Sequence, residues 1–463
     1  MAPPTLAPPK VQPDVLHLIG KTPMLELQGF DTGPCRLFLK LESQNPGGSI
    51  KDRMGLFMVR AAEQAGMLPA GGTIIEATAG NTGLALALVA QARGYRMVLV
   101  IPDKMSQEKI AHLRALGAEI HLTRSDVSKG HPDFYMDYAA RLEREIPNSI
   151  WVNQFANAAN ARAHEETTGP EIWEQMDQDV DAVVCGVGSA GTITGLSHYF
   201  ERTQPSLEMI LADPQGSILA DLINKGTPGK SGPSVVEGIG SSSVPPVADL
   251  SRVRKAFQIE DAESLHTVRE LLKRSGILAG SSTGTLLATA LRYCREQKQP
   301  KRVVTFVCDS GNKYLSKVFN DYWMLDQGFL QRPEKHDLRD LIKRRYEEGA
   351  VITVGPDDTL LIAFQRMRMA DISQVPVMQD GRAVGILDES DVLMSVHDTP
   401  VHFNSPVRDA MTSNLETLQI TSSLETVFDV LNRGRVAMIM DDGQFEGLIT
   451  RTDLINHLRR KVQ

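Results

Sequence analysis

Cysteine is scarce in this sequence, long apolar runs are missing, and positive charge is outweighed by negative. The four cysteines, Cys35, Cys185, Cys294 and Cys308, lie far apart, with no C-x-x-C pair and no histidine at metal-ligand spacing. That argues against a disulfide framework and a zinc site; reduced core thiols and no metal are the expectation. No stretch approaches the ~18 consecutive apolar residues of a membrane span. The opening MAPPTLAPPKVQPD has no apolar run to serve as a signal peptide, so a cytoplasmic location is expected. A net charge of −8 argues against nucleic acid and anionic membrane as partners, since both require a positive footprint. It leaves room for a small anion held by local backbone dipoles.

What is present is ordinary globular material, with 42% hydrophobic and 23% charged residues. A length of 463 residues suggests about two to four domains. Five prolines within residues 1–13 predict an extended arm. From Leu37 onward, β-like runs such as RLFLKLE, RMVLVIP, AEIHLT, DAVVCGVG, EMILADP and RVVTFVCDS alternate with helical patterns. The helical segments SIKDRMGLFMVRAAEQAG, NTGLALALVAQARG and QEKIAHLRALG each close on a glycine suited to a left-handed cap. This alternation predicts a parallel α/β architecture with covered sheet faces over residues 1–330. Residues 331–350 are polar and charged, and read as a linker. Beyond them lies an internal repeat: GILDESDVL at 385–393 matches GLITRTDLI at 447–455, and QVPVMQDG matches VAMIMDDG at the same offset of 62. Two copies, at about 351–400 and 407–463, predict a module folded about a pseudo-dyad.

Four loops in the first domain carry candidate chemistry. In NPGGSIKDR, Gly47 and Gly48 permit a tight turn, Ser49 is placed to cap, and Lys51 falls in the first turn of a helix. The helix dipole and partial burial both lower an amine's pKa there, and only a neutral amine attacks an aldehyde. A lone lysine is far more often a solvated surface charge, so the context carries the argument. EATAGNTGLALAL places the backbone from Thr78 to Thr82 as a nest for a carboxylate, with the Asn81 amide free to donate. CGVGSAGTITG follows an apolar strand, and its small residues Gly188, Ser189, Ala190, Gly191 and Thr192 allow a phosphate to approach a helix start. It does not keep the spacing of the dinucleotide fingerprint. In GILAGSSTGTLLA, Ser282 is placed to hydrogen-bond a ring nitrogen, which as a hydroxyl it would leave largely unprotonated.

Taken in order, NPGGSIKDR, TAGNTG, NQFANAANARAH, GSAGTITG and DSGNKYLSKVFND resemble the fold-type II family of pyridoxal-phosphate (PLP) enzymes, over about residues 11–329. The resemblance implies PLP held by Lys51, which would also shuttle the substrate's α-proton. It implies Asn81 at the phenolate oxygen, Gly188 to Thr192 at the phosphate and Ser282 at the ring nitrogen. Thr78, Ala79, Asn81, Thr82 and Gln154 would face the substrate carboxylate, with Glu237 and Gly238 nearby. Ala79 and Ser189-Ala190 stand where relatives carry other small residues, and Ser241 where animal enzymes show tyrosine.

Within the family, Glu237 in VEGIG and the string ADPQGSI resemble the cystathionine β-synthases, and the C-terminal repeat is similar to a CBS-domain pair, the Bateman module. That implies β-replacement joining L-serine and L-homocysteine into cystathionine and water, with hydrogen sulfide released when cysteine is the substrate. No haem is expected, because there is no room before Val11 for the haem-bearing extension of the animal enzymes. Two alternatives stay open: an O-acetylserine sulfhydrylase with an appended module, and an adenosyl-ligand sensor on an inactive PLP scaffold. In the repeat, Thr450 and Asp453 of GLITRTD fit the ribose-binding pattern of such modules, whereas GILDESD has Asp388 where the threonine belongs. S-adenosylmethionine at one site, and a homo-oligomer of two or four chains, complete the expectations.

Overall fold

The computed structural model describes residues 11–78, 80–103, 107–397 and 399–460. The proline-rich arm expected at residues 1–13 lies largely outside them. The chain divides into two compact units, Met1–Phe319 and Asn320–Gln463.

The first unit holds two sheets, as the alternation predicts. Thr73–Ala77 and Arg96–Pro102 form the centre of a four-stranded parallel sheet flanked by Glu119–Thr123 and Ser149–Trp151. The other sheet has six strands, in the order Met24–Glu26, Arg36–Lys40, Arg302–Phe306, Ala182–Gly186, Glu208–Pro214 and Val253–Ile259. Only its first pair is antiparallel. Thr73–Ala77 is buried at every position, which a strand covered by helices on both faces requires.

Helices Lys51–Gln64 and Asn81–Arg93 pack closely, because Gly55 lies directly against Ala85 and leaves no space for a side chain without displacement. The second helix ends on Gly94 in the left-handed conformation, as its sequence predicts. Their shared packing brings the starts of both helices, Lys51 and Asn81, to one cavity.

In the second unit the repeat is visible in detail. Gln374–Gln379 pairs antiparallel with Arg382–Asp388, and Ala437–Asp441 with Gln444–Ile449. The register slips at Val377/Met378 in one copy and at Ile439/Met440 in the other, positions related by the same offset of 62. The stretch 331–350 differs from the linker expected of it. Leu338, Leu341 and Ile342 are buried with Val427, Leu431 and Ile449 in the core of the second copy. Val407 and Met411, which precede the second copy's strands, pack into the core of the first. Polar composition hid this exchange, because three apolar residues suffice to anchor the segment. The equivalent glycines Gly385 and Gly447 make room for it: Met411 lies against one and Ile342 against the other.

Candidate active site

Lys51 opens its helix, after an Ile50 cap rather than the Ser49 cap expected; the Ser49 hydroxyl instead accepts from the Lys51 backbone N–H at 3.3 Å. Its Nζ donates to Ser189 Oγ at 3.3 Å. Burial lowers the amine's pKa to about 8, against a small opposing influence from Cys308. Desolvation is therefore the main cause, and it populates the neutral nucleophile near neutral pH.

The helix that carries Lys51 is fixed by a buried ion network. Arg53 donates to Glu42 through Nε and Nη2, each at 2.8 Å, and to Glu171 through Nη1 and Nη2, each at 2.7 Å. Lys40 completes it, donating to Glu171 at 2.7 Å. Two cations and two carboxylates balance, so that each buried charge is paired. Sequence reasoning passed over Arg53, although the R of IKDR was its signal.

The glycine-rich turn after strand Ala182–Gly186 starts helix Gly191–Thr203 from Ala190, whose φ of +70° is rare for a residue with a side chain. A Cβ at Gly188 would collide with the Gly238 carbonyl oxygen, and one at Gly191 with the Asn160 amide. The turn is thus a cradle that only these small residues permit, and the helix's first N–H groups lack intrahelical partners there. Asn160 braces it by donating to Ser189 Oγ at 3.0 Å.

Lys51, Asn81, Gly188, Ala190, Gly191, Thr192 and Ser282 line one cavity, together with Glu237 and Gly238. Thr78, Thr82 and Gln154 do not line it among the described residues. Thr82 Oγ1 donates to Gln154 Oε1 at 2.7 Å, both buried, and Thr78 Oγ1 accepts from the Gly80 N–H at 3.1 Å. Ala79 lies outside the described residues. A second cavity of about 620 Å³ shares Asn81, Glu237 and Gly238 with the first, and is lined further by Lys109, Lys313 and Tyr314. Glu237 contacts Lys109 and accepts from Lys317 at 2.7 Å. Burial pushes its carboxyl up, but the two ammonium groups outweigh that and hold it below the ordinary range. Lys109, Lys317, Lys313 and Asp309 were missed from sequence. The last three sit in DSGNKYLSKVFND, a motif that carried family likeness but no assigned side chain.

An amine of lowered pKa, a small-residue anion cradle, an amide and a hydroxyl around one cavity fit pyridoxal phosphate, whose aldehyde, phosphate, phenolate and ring nitrogen need those four partners. The family model described as pyridoxal-phosphate dependent enzyme matches residues 15–309. The chain belongs to that family. It is a PLP-dependent lyase, and CBS-domain models match residues 339–398 and 407–460. Mouse cystathionine beta-synthase is 36% identical over 94% of this chain and 78% of its own length. Cysteine synthase 1 of Emericella nidulans is 37% identical over 69% of this chain and 87% of its own length. The crystal structure of O-acetylserine dependent cystathionine beta-synthase from Helicobacter pylori superposes with a TM-score of 0.61 at 34% identity, covering 66% of this chain and 98% of that one.

In the second unit, Thr450 and Asp453 lie together, but they satisfy each other. Asp453 Oδ2 accepts from the Thr450 N–H at 2.8 Å and from its hydroxyl at 2.6 Å. Asp388 and Asp391 form the corresponding capping box in the first copy. Among the described residues, no helix is long and apolar enough to cross a membrane, and no group of three or more His, Cys, Asp or Glu side chains is placed to hold a metal. All four cysteines are free.

Proposed function

We propose that this lyase condenses L-serine with L-homocysteine to give L-cystathionine and water, and releases hydrogen sulfide when cysteine takes part as substrate. The observation that carries the reading is the charge pattern where the two cavities meet. Glu237, which lines both cavities, stands between Lys109 and Lys317, so a carboxylate and two ammonium groups lie side by side where an incoming amino acid could exchange into them. A second amino acid that brings a thiol needs both; inorganic sulfide needs neither.

Pyridoxal phosphate, when bound, supplies an aldehyde for the substrate's amine and a ring that withdraws electrons from its α-carbon. The chain does the rest. Lys51 Nζ would hold the cofactor and take the substrate's α-proton, and its burial lowers the amine's pKa toward what this requires. The same Nζ gives a proton to the departing serine hydroxyl as the C–O bond breaks. Homocysteine sulfur would then bond the β-carbon as its thiol proton passes to Nζ, and Nζ would deliver that proton to the α-carbon. Gly188, Ser189, Ala190, Gly191 and Thr192 would anchor the phosphate, and Ser282 would offer the ring nitrogen a neutral hydroxyl. On the family resemblance we assign Thr78, Thr82 and Gln154 to the substrate carboxylate, although none of the three lines the cavity itself.

A substrate panel tests this. Serine with homocysteine is expected to turn over faster than O-acetylserine with sulfide; the reverse order would make the chain a cysteine synthase. O-acetylserine with homocysteine as the best pair would keep Glu237's role and change only the leaving group, as the name of the Helicobacter pylori relative suggests. Glu237→Gln should raise the KM for homocysteine about tenfold, the scale of one charge-assisted hydrogen bond, and leave the KM for serine in place.

For the second unit we assign residues 351–463, together with the preceding stretch that anchors in the second copy's core, as a regulatory pair, with S-adenosylmethionine as ligand at Thr450 and Asp453. Asp388 in place of threonine supports one site rather than two. Titration calorimetry with S-adenosylmethionine gives heat at about one site per chain in this reading, and none if the pair only packs. Apolar side chains exposed on its helices, including Met369, Leu393, Met394 and Ile455, support a homo-oligomer, which light scattering would size. Four free thiols support a reducing, cytoplasmic setting.

A further inference from the structure

Asn81 is held at both ends of its amide. Its Nδ2 donates to Asp309 Oδ2 at 2.8 Å, and its Oδ1 accepts from Lys313 Nζ at 2.7 Å. Asp309 Oδ2 also accepts from the Tyr314 hydroxyl at 2.7 Å, so two donors converge on one oxygen. Lys313 Nζ reaches further, to the carbonyl oxygens of Gly47 at 3.3 Å and Gly48 at 3.4 Å, in the turn that leads into Lys51. Asp309 is 1% exposed, and Lys313 lines the larger cavity beside Asn81.

An asparagine amide is nearly symmetric in shape, and its two ends are told apart only by their partners. Here the partners carry opposite charge. Rotating the amide by half a turn would set its oxygen against the Asp309 carboxylate and its hydrogens against an ammonium group, which is unfavourable at both ends. The orientation is therefore encoded, and among the described residues it leaves the second Nδ2 hydrogen without a partner, on a residue that lines the cavity with Lys51.

We propose that Lys313 and Asp309 are positioning residues that lock the Asn81 amide with its free N–H toward the cofactor's phenolate oxygen, and that Lys313 ties this orientation to the turn carrying Lys51. This rests on the assignment of Asn81 to the cofactor. Neither residue need touch pyridoxal phosphate; each acts through Asn81.

The test is a double-mutant cycle on the full chain, read by the visible absorbance of bound pyridoxal phosphate and by its dissociation constant. Asn81→Ala is expected to shift the band and weaken binding about tenfold, the scale of one hydrogen bond to a charged group. Lys313→Met should reproduce most of both effects alone and add almost nothing in the Asn81→Ala background. Lys313→Arg should restore part of the band position, and Lys313→Gln replaces Lys313→Met if that chain does not fold. A wild-type spectrum and affinity in Lys313→Met, or effects fully additive with Asn81→Ala, would overturn the clamp while leaving Asn81 in place. A silent Asn81→Ala would overturn both the clamp and the assignment beneath it.

Discussion

Lys51, Asn81, the turn residues Gly188, Ala190, Gly191 and Thr192, and Ser282 come from four distant segments of the first unit, yet they line one cavity. In the second unit, Thr450 and Asp453 are neighbours on one helical turn, and their polar groups close on each other. The two arrangements differ in what they leave over. At the first site, a depressed lysine, an unused amide hydrogen and an uncapped helix start still want partners. At the second, a threonine and an aspartate form a capping box, which any helix can use for its own ends. A local motif can be complete without a ligand, whereas residues drawn from distant segments into one cavity call for another explanation.

Removing the lysine should break that comparison most strongly. Lys51→Ala is expected to lower turnover by about 10⁴-fold, the loss that the proposed general base and acid would bring. It should barely move the melting temperature, because the Lys51 side chain gives up only a 3.3 Å bond to Ser189. Comparable loss of melting temperature and rate would mean that Lys51 is structural.

Arg53→Met strikes beneath the same site. Glu42 and Glu171 would be left without their main partner, at a cost of about 3–5 kcal/mol, visible as a lower denaturation midpoint. A change under about 1 kcal/mol would show that solvent reaches these carboxylates and that the network matters little.

The pH response sharpens the contrast between a primed group and a satisfied one. With its amine titrating at about 8, Lys51 is half neutral there, and its neutral fraction climbs steeply below that pH and saturates about one unit above it. Capture of added pyridoxal phosphate by the apo chain should therefore accelerate about tenfold per pH unit below about pH 8, then level off. A rate independent of pH across that range would remove burial as the device that activates the amine.

The smallest effect belongs to the second unit. Thr450→Ala should cost about 1 kcal/mol of that unit's stability, the usual scale of a lost helix cap. If S-adenosylmethionine gives a heat of binding with the parent chain, the same variant should abolish it. Stability lost with the heat intact would assign Thr450 to capping alone.

Much of this was legible in the sequence because it depends on local chemistry. Gly94 ends its helix in the left-handed conformation, the strands fall on the β-branched runs, and the offset of 62 recurs even in the register slips. Lys51 could be singled out because its loop, turn and helix start are adjacent in the chain. Asp309 and Lys313 could not, since their role exists only where a loop 228 residues away from Asn81 folds against it. The segment 331–350 misled for a related reason: Leu338, Leu341 and Ile342 find their core in strands about a hundred residues later.

The sequence by itself determined the alternating α/β order, the repeat, and the small residues without which the cradle at Gly188 and Gly191 would be filled by side chains. These follow from backbone geometry and the sizes of neighbouring residues, which the chain states directly. Tertiary structure decided how Lys51 is desolvated, which way the Asn81 amide faces, and that Glu237 sits between two lysines. Those are properties of charges brought together from distant positions, and their energies depend on separation and burial, which only the folded chain fixes.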